Sequence, residues 1–176
     1  MSHVFDEGGL RFIFDETFWQ VLKWDDHAAH RKSMNVLDGS KAIDFMGIYR
    51  GEALFFIEAK DYREHDRSKE QPLTQELELK VRNTVAGLVG GCRREEYKAE
   101  CSPFLEALRR KDLWVVLWLE TKHDRKSKFG EALELKNLKQ RFKWLSPHVA
   151  TCHADDYARV IPGLTVTSLP RSPAKA

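Results

Sequence analysis

The chain is 176 residues long, 42% hydrophobic and 32% charged, with a formal net charge of +2. That content suffices for one domain with a real core, residues 1–169, and excludes a polycation that binds phosphates through net charge alone. No apolar run reaches the roughly 18 residues a membrane helix needs, and MSHVFDEGG lacks the basic and apolar parts of a secretory signal; a cytoplasmic protein with no membrane partner is expected.

In chain order, residues 10–14 and 18–24 are aromatic and aliphatic around a polar Asp15-Glu16 break, which predicts two strands in a hairpin. The second of these reads also as a short helix with Glu16 near its start. Asp25 and Asp26 end an apolar run and are candidates for an auxiliary metal or water contact, or for a turn or cap before His27. A polar connection leads to the Asp38-Gly39 turn. Residues 42–49 and 53–60, rich in β-branched, aromatic and aliphatic side chains, predict an antiparallel pair joined through Arg50-Gly51-Glu52. Residues 61–71, dense in both signs of charge, read as an exposed loop.

Pro72 opens a predicted helix in which Leu73, Leu77, Val81, Val85 and Leu88 repeat every three or four residues until Gly90-Gly91 stops the pattern. Its other side carries Gln75, Lys80, Arg82 and Asn83, of which Lys80 and Arg82 read as solvated. A second helix over residues 95–110 is expected to break near Cys101-Ser102-Pro103. LWVVLWL, residues 113–119, is apolar throughout and predicts a strand buried on both faces of a mixed sheet. A polar loop over 122–128, a helix over 131–145, strands at 148–152 and 164–168, and a disordered tail at 170–176 complete the chain. The three cysteines lack paired spacing and are expected as reduced thiols, and His27, His30, Cys152 and His153 lack the two tight ligand pairs of a zinc site.

Charge is unevenly placed. Residues 1–30 carry two basic against six acidic side chains, and residues 121–143 carry eight basic against three acidic. Lys122, Arg125, Lys126 and Lys128 are therefore candidate phosphate contacts, with an ordinary solvated surface as the plainer alternative.

The chemistry concentrates at the end of the second hairpin strand. Glu58 and Lys60 stand two apart and point to one face, with Phe55, Ile57 and Ala59 on the other. Register then decides the place of Asp44. A two-residue loop at Arg50-Gly51 pairs Ile43 with Glu58 and turns Asp44 away. A three-residue loop centred on Gly51 sets Asp44 directly across from Glu58, with Cβ atoms about 4.5 to 5.5 Å apart. Two carboxylates so close repel unless a cation lies between them, and Mg²⁺ with oxygen ligands at about 2.0 to 2.1 Å suits that position.

Asp44 followed by Glu58-Ala59-Lys60 at the end of the next strand resembles the signature of the PD-(D/E)XK nuclease superfamily, and LKWDDHAAHRKS, KAIDF and FIEAKD together resemble uncharacterised bacterial proteins of it. Ile43 stands where the name-giving proline would be, and the carboxylate often supplied by a preceding helix has no clear counterpart. The resemblance implies an α/β fold with a restriction-endonuclease-like core, a central mixed β-sheet flanked by helices. It implies Mg²⁺ or Mn²⁺ held by Asp44, Glu58 and the Ala59 carbonyl, Lys60 orienting the attacking water, Gln75 near the start of the following helix approaching the substrate, and hydrolysis of a phosphodiester in nucleic acid, DNA ahead of RNA. A catalytically inactive nuclease-like fold that binds nucleic acid or protein is the alternative, and a homodimer is compatible with either.

Overall fold

A computed structural model describes residues 1–34, 40–64, 70–121, 128–146 and 148–170, with the backbone alone at 33–34 and 128–133. The Asp38-Gly39 turn, Lys122, Arg125, Lys126 and all of the tail except Pro170 lie outside the described residues. The fold is α/β: a mixed five-stranded sheet has helices on one face and a three-stranded antiparallel sheet on the other.

Strands β1 (Ser2–Glu7), β2 (Leu10–Asp15) and β8 (Leu164–Ser168) form the small sheet in the order β1-β2-β8. Strands β3 (Trp19–Lys23), β4 (Phe45–Tyr49), β5 (Ala53–Tyr62), β6 (Asp112–Thr121) and β7 (His148–Cys152) form the large one in chain order, antiparallel from β3 to β5 and parallel from β5 to β7. Helices α1 (Leu73–Cys92) and α2 (Glu95–Arg110) make the crossover from β5 to β6, as a parallel pair requires, and α3 (Lys128–Phe142) makes the one to β7.

Alternation along the strands divides the core. Leu54 and Phe56 of β5 and Leu113, Val115, Leu117 and Leu119 of β6 pack under the helices with Leu77, Val81, Leu88 and Phe104. Phe55, Ile57, Val116 and Trp118 face the small sheet, where Phe12 lies 5.1 Å from Phe45 and 5.3 Å from Trp118 between ring centroids. β6 is thus buried on both faces, as its uninterrupted apolar run predicts. Gly47 in β4 makes room for this packing, since a Cβ there would lie 2.8 Å from the Trp19 ring.

Several expectations are corrected. Residues 10–15 and 19–23 form no hairpin with each other; an Asx turn, with the Thr17 N–H donating to Asp15 Oδ1 at 2.9 Å, passes the chain from one sheet to the other. Residues 19–23 are strand, so Glu16 stands on no helix and approaches His3 instead. β5 continues to Tyr62 rather than giving way to a loop at Asp61. α1 runs past Gly90-Gly91, because Gly91 is packed so closely on Cys101 that a side chain there would meet its sulfur. α2 is unbroken through Pro103, since fully buried Cys101 and Phe104 on either side hold it by packing that outweighs the missing hydrogen bond. α3 starts and ends three residues earlier than expected. Cys92, Cys101 and Cys152 are free thiols, and no helix among the described residues is long and apolar enough to cross a membrane.

Candidate functional site

The β4–β5 turn is the three-residue loop Arg50-Gly51-Glu52, with Tyr49 paired to Ala53 and with Arg50 and Gly51 at φ of 49° and 68°. Phe45 therefore pairs with Ile57, and the same register brings Asp44, one residue before β4, opposite Glu58. The Asp44 Oδ2 accepts the Ala59 N–H at 2.7 Å, and its main-chain carbonyl accepts the Trp24 N–H at 2.8 Å. Glu58 and Lys60 continue the helix-facing row begun by Leu54 and Phe56, which sinks a carboxylate at a position where the pattern calls for an apolar side chain. Asp44 is 3% exposed and Glu58 1%.

Helix α1 closes the site from above. Thr84 accepts the Ile43 N–H at 3.1 Å and donates to the Lys80 carbonyl at 2.8 Å, and Asn83 donates to the Lys41 carbonyl, so the helix is pinned to the segment entering Asp44. One turn back along the same row, Lys80 is 8% exposed. Its Nζ lies 2.6 Å from Glu58 Oε1 and 3.6 Å from Asp44 Oδ1. The Lys60 ammonium contacts the same Glu58 Oε1. Glu58 Oε2 is buried and takes no hydrogen bond. Glu76, a further turn back on α1, is also buried.

A second acidic group reaches Asp44 from the side of the small sheet. Carboxylate oxygens of Glu7, at the end of β1, and of Asp25, just beyond β3, lie with one of Asp44 within 4.8 Å of one another. Three oxygens at that spacing are close enough to ligate one cation after small side-chain adjustments. The Lys23 ammonium lies 2.8 Å from Glu7, 3.0 Å from Asp25 and 3.3 Å from Asp26. Among the described groups, the carboxylates of Glu7, Asp25, Asp26, Asp44 and Glu58 outnumber the ammonium groups of Lys23, Lys60 and Lys80 that meet them.

That excess is visible in the proton affinities. Burial pushes the Asp44 carboxyl up to about 7, and the Glu58 and Glu7 charges push the same way against Lys80 and the Ala59 N–H. Burial likewise raises Asp25, opposed by Lys23 and reinforced by Glu7 and Asp26. For Lys60 burial pulls downward, but contact with Glu58 and the charges of Asp44 and Glu76 lift it above an ordinary lysine. Burial lowers His30, which stands in the fields of Asp25 and Lys80.

The structure thus brings Asp44, Glu58, Ala59 and Lys60 together, and adds Asp25 through Glu7. Asp26 meets the group only through Lys23, its side chain 62% exposed. Gln75 is exposed, and the residues of α1 that face the site are Glu76 and Lys80. Lys80 is buried in the ion cluster rather than solvated, because Glu76, Lys80 and Thr84 form the polar edge of the buried stripe. Their four-residue spacing was the available signal. Lys128 opens α3, and its side chain is outside the described residues. Comparison of the chain with protein families, curated proteins and solved structures finds no match.

Proposed function

We propose that the chain is a metal-dependent phosphodiesterase acting on nucleic acid, DNA ahead of RNA, built on the plan of the PD-(D/E)XK nucleases. The observation that carries this reading is the register that sets Asp44 across from Glu58 with Lys60 two residues further on, all at the end of one buried hairpin. The donor set fits a hard divalent cation such as Mg²⁺ or Mn²⁺. It is made of carboxylate oxygens in excess over lysines, one of them, Glu58 Oε2, buried without a partner. Asp44, Glu58 and the Ala59 carbonyl would hold the ion, with Glu7 and Asp25 extending the acidic surface. The two polar groups of a strand residue point to the same edge, so the Ala59 carbonyl faces the gap beyond the start of β4, where its N–H meets Asp44.

Such an ion supplies Lewis acidity, polarising a phosphoryl oxygen and lowering the pKa of a bound water. Lys60, a permanent ammonium one-fifth exposed at the strand end, orients that water and offsets the charge that develops on the phosphoryl oxygens. Asp44 must lose its proton to act as a ligand, which ties activity to a group balanced near neutral pH. The rival reading is a structural ion cluster in a non-catalytic binding module, and one observation favours it: Lys80 already lies between Asp44 and Glu58.

The deciding experiment is paired. Mn²⁺ binding and melting temperature are measured for wild type, Glu58→Gln and Lys60→Ala, alongside nicking of supercoiled plasmid and cleavage of labelled RNA in Mg²⁺ and Mn²⁺. A nuclease loses metal affinity in the first variant and cleavage alone in the second. A wild type that binds no divalent ion, with both variants melting far below it, sinks the proposal.

A further inference from the structure

The position of Lys80 has a consequence for how the site loads, and it rests on the metal-dependent reading above. Its ammonium is 2.6 Å from one carboxylate and 3.6 Å from the other of the very pair that would hold the ion. A divalent cation bridging Asp44 and Glu58 and an ammonium within about 4 Å of both repel strongly in a site this dry, so the two do not share the position. Lys80 also has somewhere to go. Glu76 lies four residues earlier on α1, the spacing at which helical side chains meet, and is buried on the same stripe. Rotation of the lysine stem about its own torsions would take the ammonium from Glu58 toward Glu76 with the helix held in place by the Thr84 and Asn83 bonds.

We propose that Lys80 is the resident counter-ion of the Asp44–Glu58 pair in the metal-free protein and is exchanged for the divalent ion on loading. Metal affinity then reports the difference between two cations for one pair of carboxylates. The ammonium keeps the pair from repelling itself apart before the metal arrives, at the cost of weaker metal binding. Lys60 contacts the same Glu58 oxygen from the more exposed side, where solvent screens its repulsion of the metal more than that of Lys80.

The test titrates the full-length chain with Mn²⁺ calorimetrically as wild type, Lys80→Met and Lys80→Gln, the second retaining an amide near Glu58 in case the first folds poorly. Counter-ion exchange predicts that the neutral variants melt lower without metal, yet bind Mn²⁺ about tenfold more tightly, which corresponds to about 1.4 kcal/mol. In wild type, the Lys80 side-chain carbon resonance, assigned by its loss in the variants, should move with Mg²⁺ and saturate with the binding isotherm. Wild type and variants that bind Mn²⁺ equally, or variants that bind more weakly, would overturn the exchange and make Lys80 a support for the carboxylates, while the metal-dependent reading stands. Absence of Mn²⁺ binding in all three proteins defeats both.

Discussion

Replacing Asp44 by asparagine should abolish the pH dependence of stability that this site contributes. The folded protein holds the Asp44 proton with a pKa of about 7, whereas an unfolded aspartate releases it near 3.9. Protonation therefore favours the folded state: this contribution is fully present below about pH 4 and is lost as pH rises through about 7. The displacement amounts to about 4 kcal/mol. Asparagine retains an oxygen for the Ala59 N–H at nearly the same volume, and cannot ionise. Asp25 is raised in the same direction but is common to both proteins, so the difference between them isolates Asp44.

The assay is urea unfolding followed by tryptophan fluorescence from pH 4 to 8 with chelator present. Relative to wild type, Asp44→Asn should gain stability steadily with pH, by up to about 4 kcal/mol between the extremes. Adding Mg²⁺ at pH 8 should then stabilise wild type more than the variant, which keeps Glu58 but lacks one of the two charged ligands. A stability difference that stays flat across the range, or a wild type that gains on the variant as pH rises, would refute the claim that Asp44 is held neutral by burial and its acidic neighbours.

Two further outcomes follow from other parts of the chain. Gly47→Ala drives a methyl into the Trp19 ring and should cost about 1 to 3 kcal/mol of unfolding free energy, read from the same urea curves. If the basic segment contacts phosphates, alanine at Lys126 and Lys128 should weaken DNA binding and flatten its salt slope by about 0.9 per lost contact, and an unchanged slope would return both lysines to the solvated surface.

The motif was legible because its signals are local. Leu54, Phe56, Glu58 and Lys60 alternate with Phe55, Ile57 and Ala59, and strand periodicity alone puts the carboxylate and the ammonium on one face. The uniform apolar run of β6 announced a strand covered on both sides. Loop count posed the register as a choice between two values, which only the observed pairing resolves. Glu7 could not be found in this way. β1 alternates exposed and half-buried residues with no apolar run to mark it, and its approach to Asp25 and Asp44 depends on how one sheet lies on the other. The missing hairpin between β2 and β3 has the same origin, since closeness in sequence does not say which sheet a strand joins. Glu76 and Lys80 stand four apart in the sequence, but their burial depends on the rotation of α1, which the Thr84 bond to Ile43 fixes from a distance of 41 residues.

The distribution of partners around Glu58 bears on whether this cluster is a scaffold or a site. An ion cluster kept for stability satisfies each buried oxygen, since an unpaired polar atom in such a place costs about 1 to 3 kcal/mol and more when charged. Here both Lys60 and Lys80 converge on Glu58 Oε1, and Oε2 takes no hydrogen bond. Asp44, beside it, has its carboxyl pushed up to about 7 by burial first and by the charges of Glu58 and Glu7 after it. Replacing the group by apolar residues of similar volume would remove both penalties, so the fold has no energetic need of it. What the arrangement favours is a further positive charge, drawn to the carboxylates that the three lysines leave uncompensated. A divalent cation would meet that requirement, as does the proton that Asp44 binds with its carboxyl pushed up to about 7, and a metal titration tells the two apart.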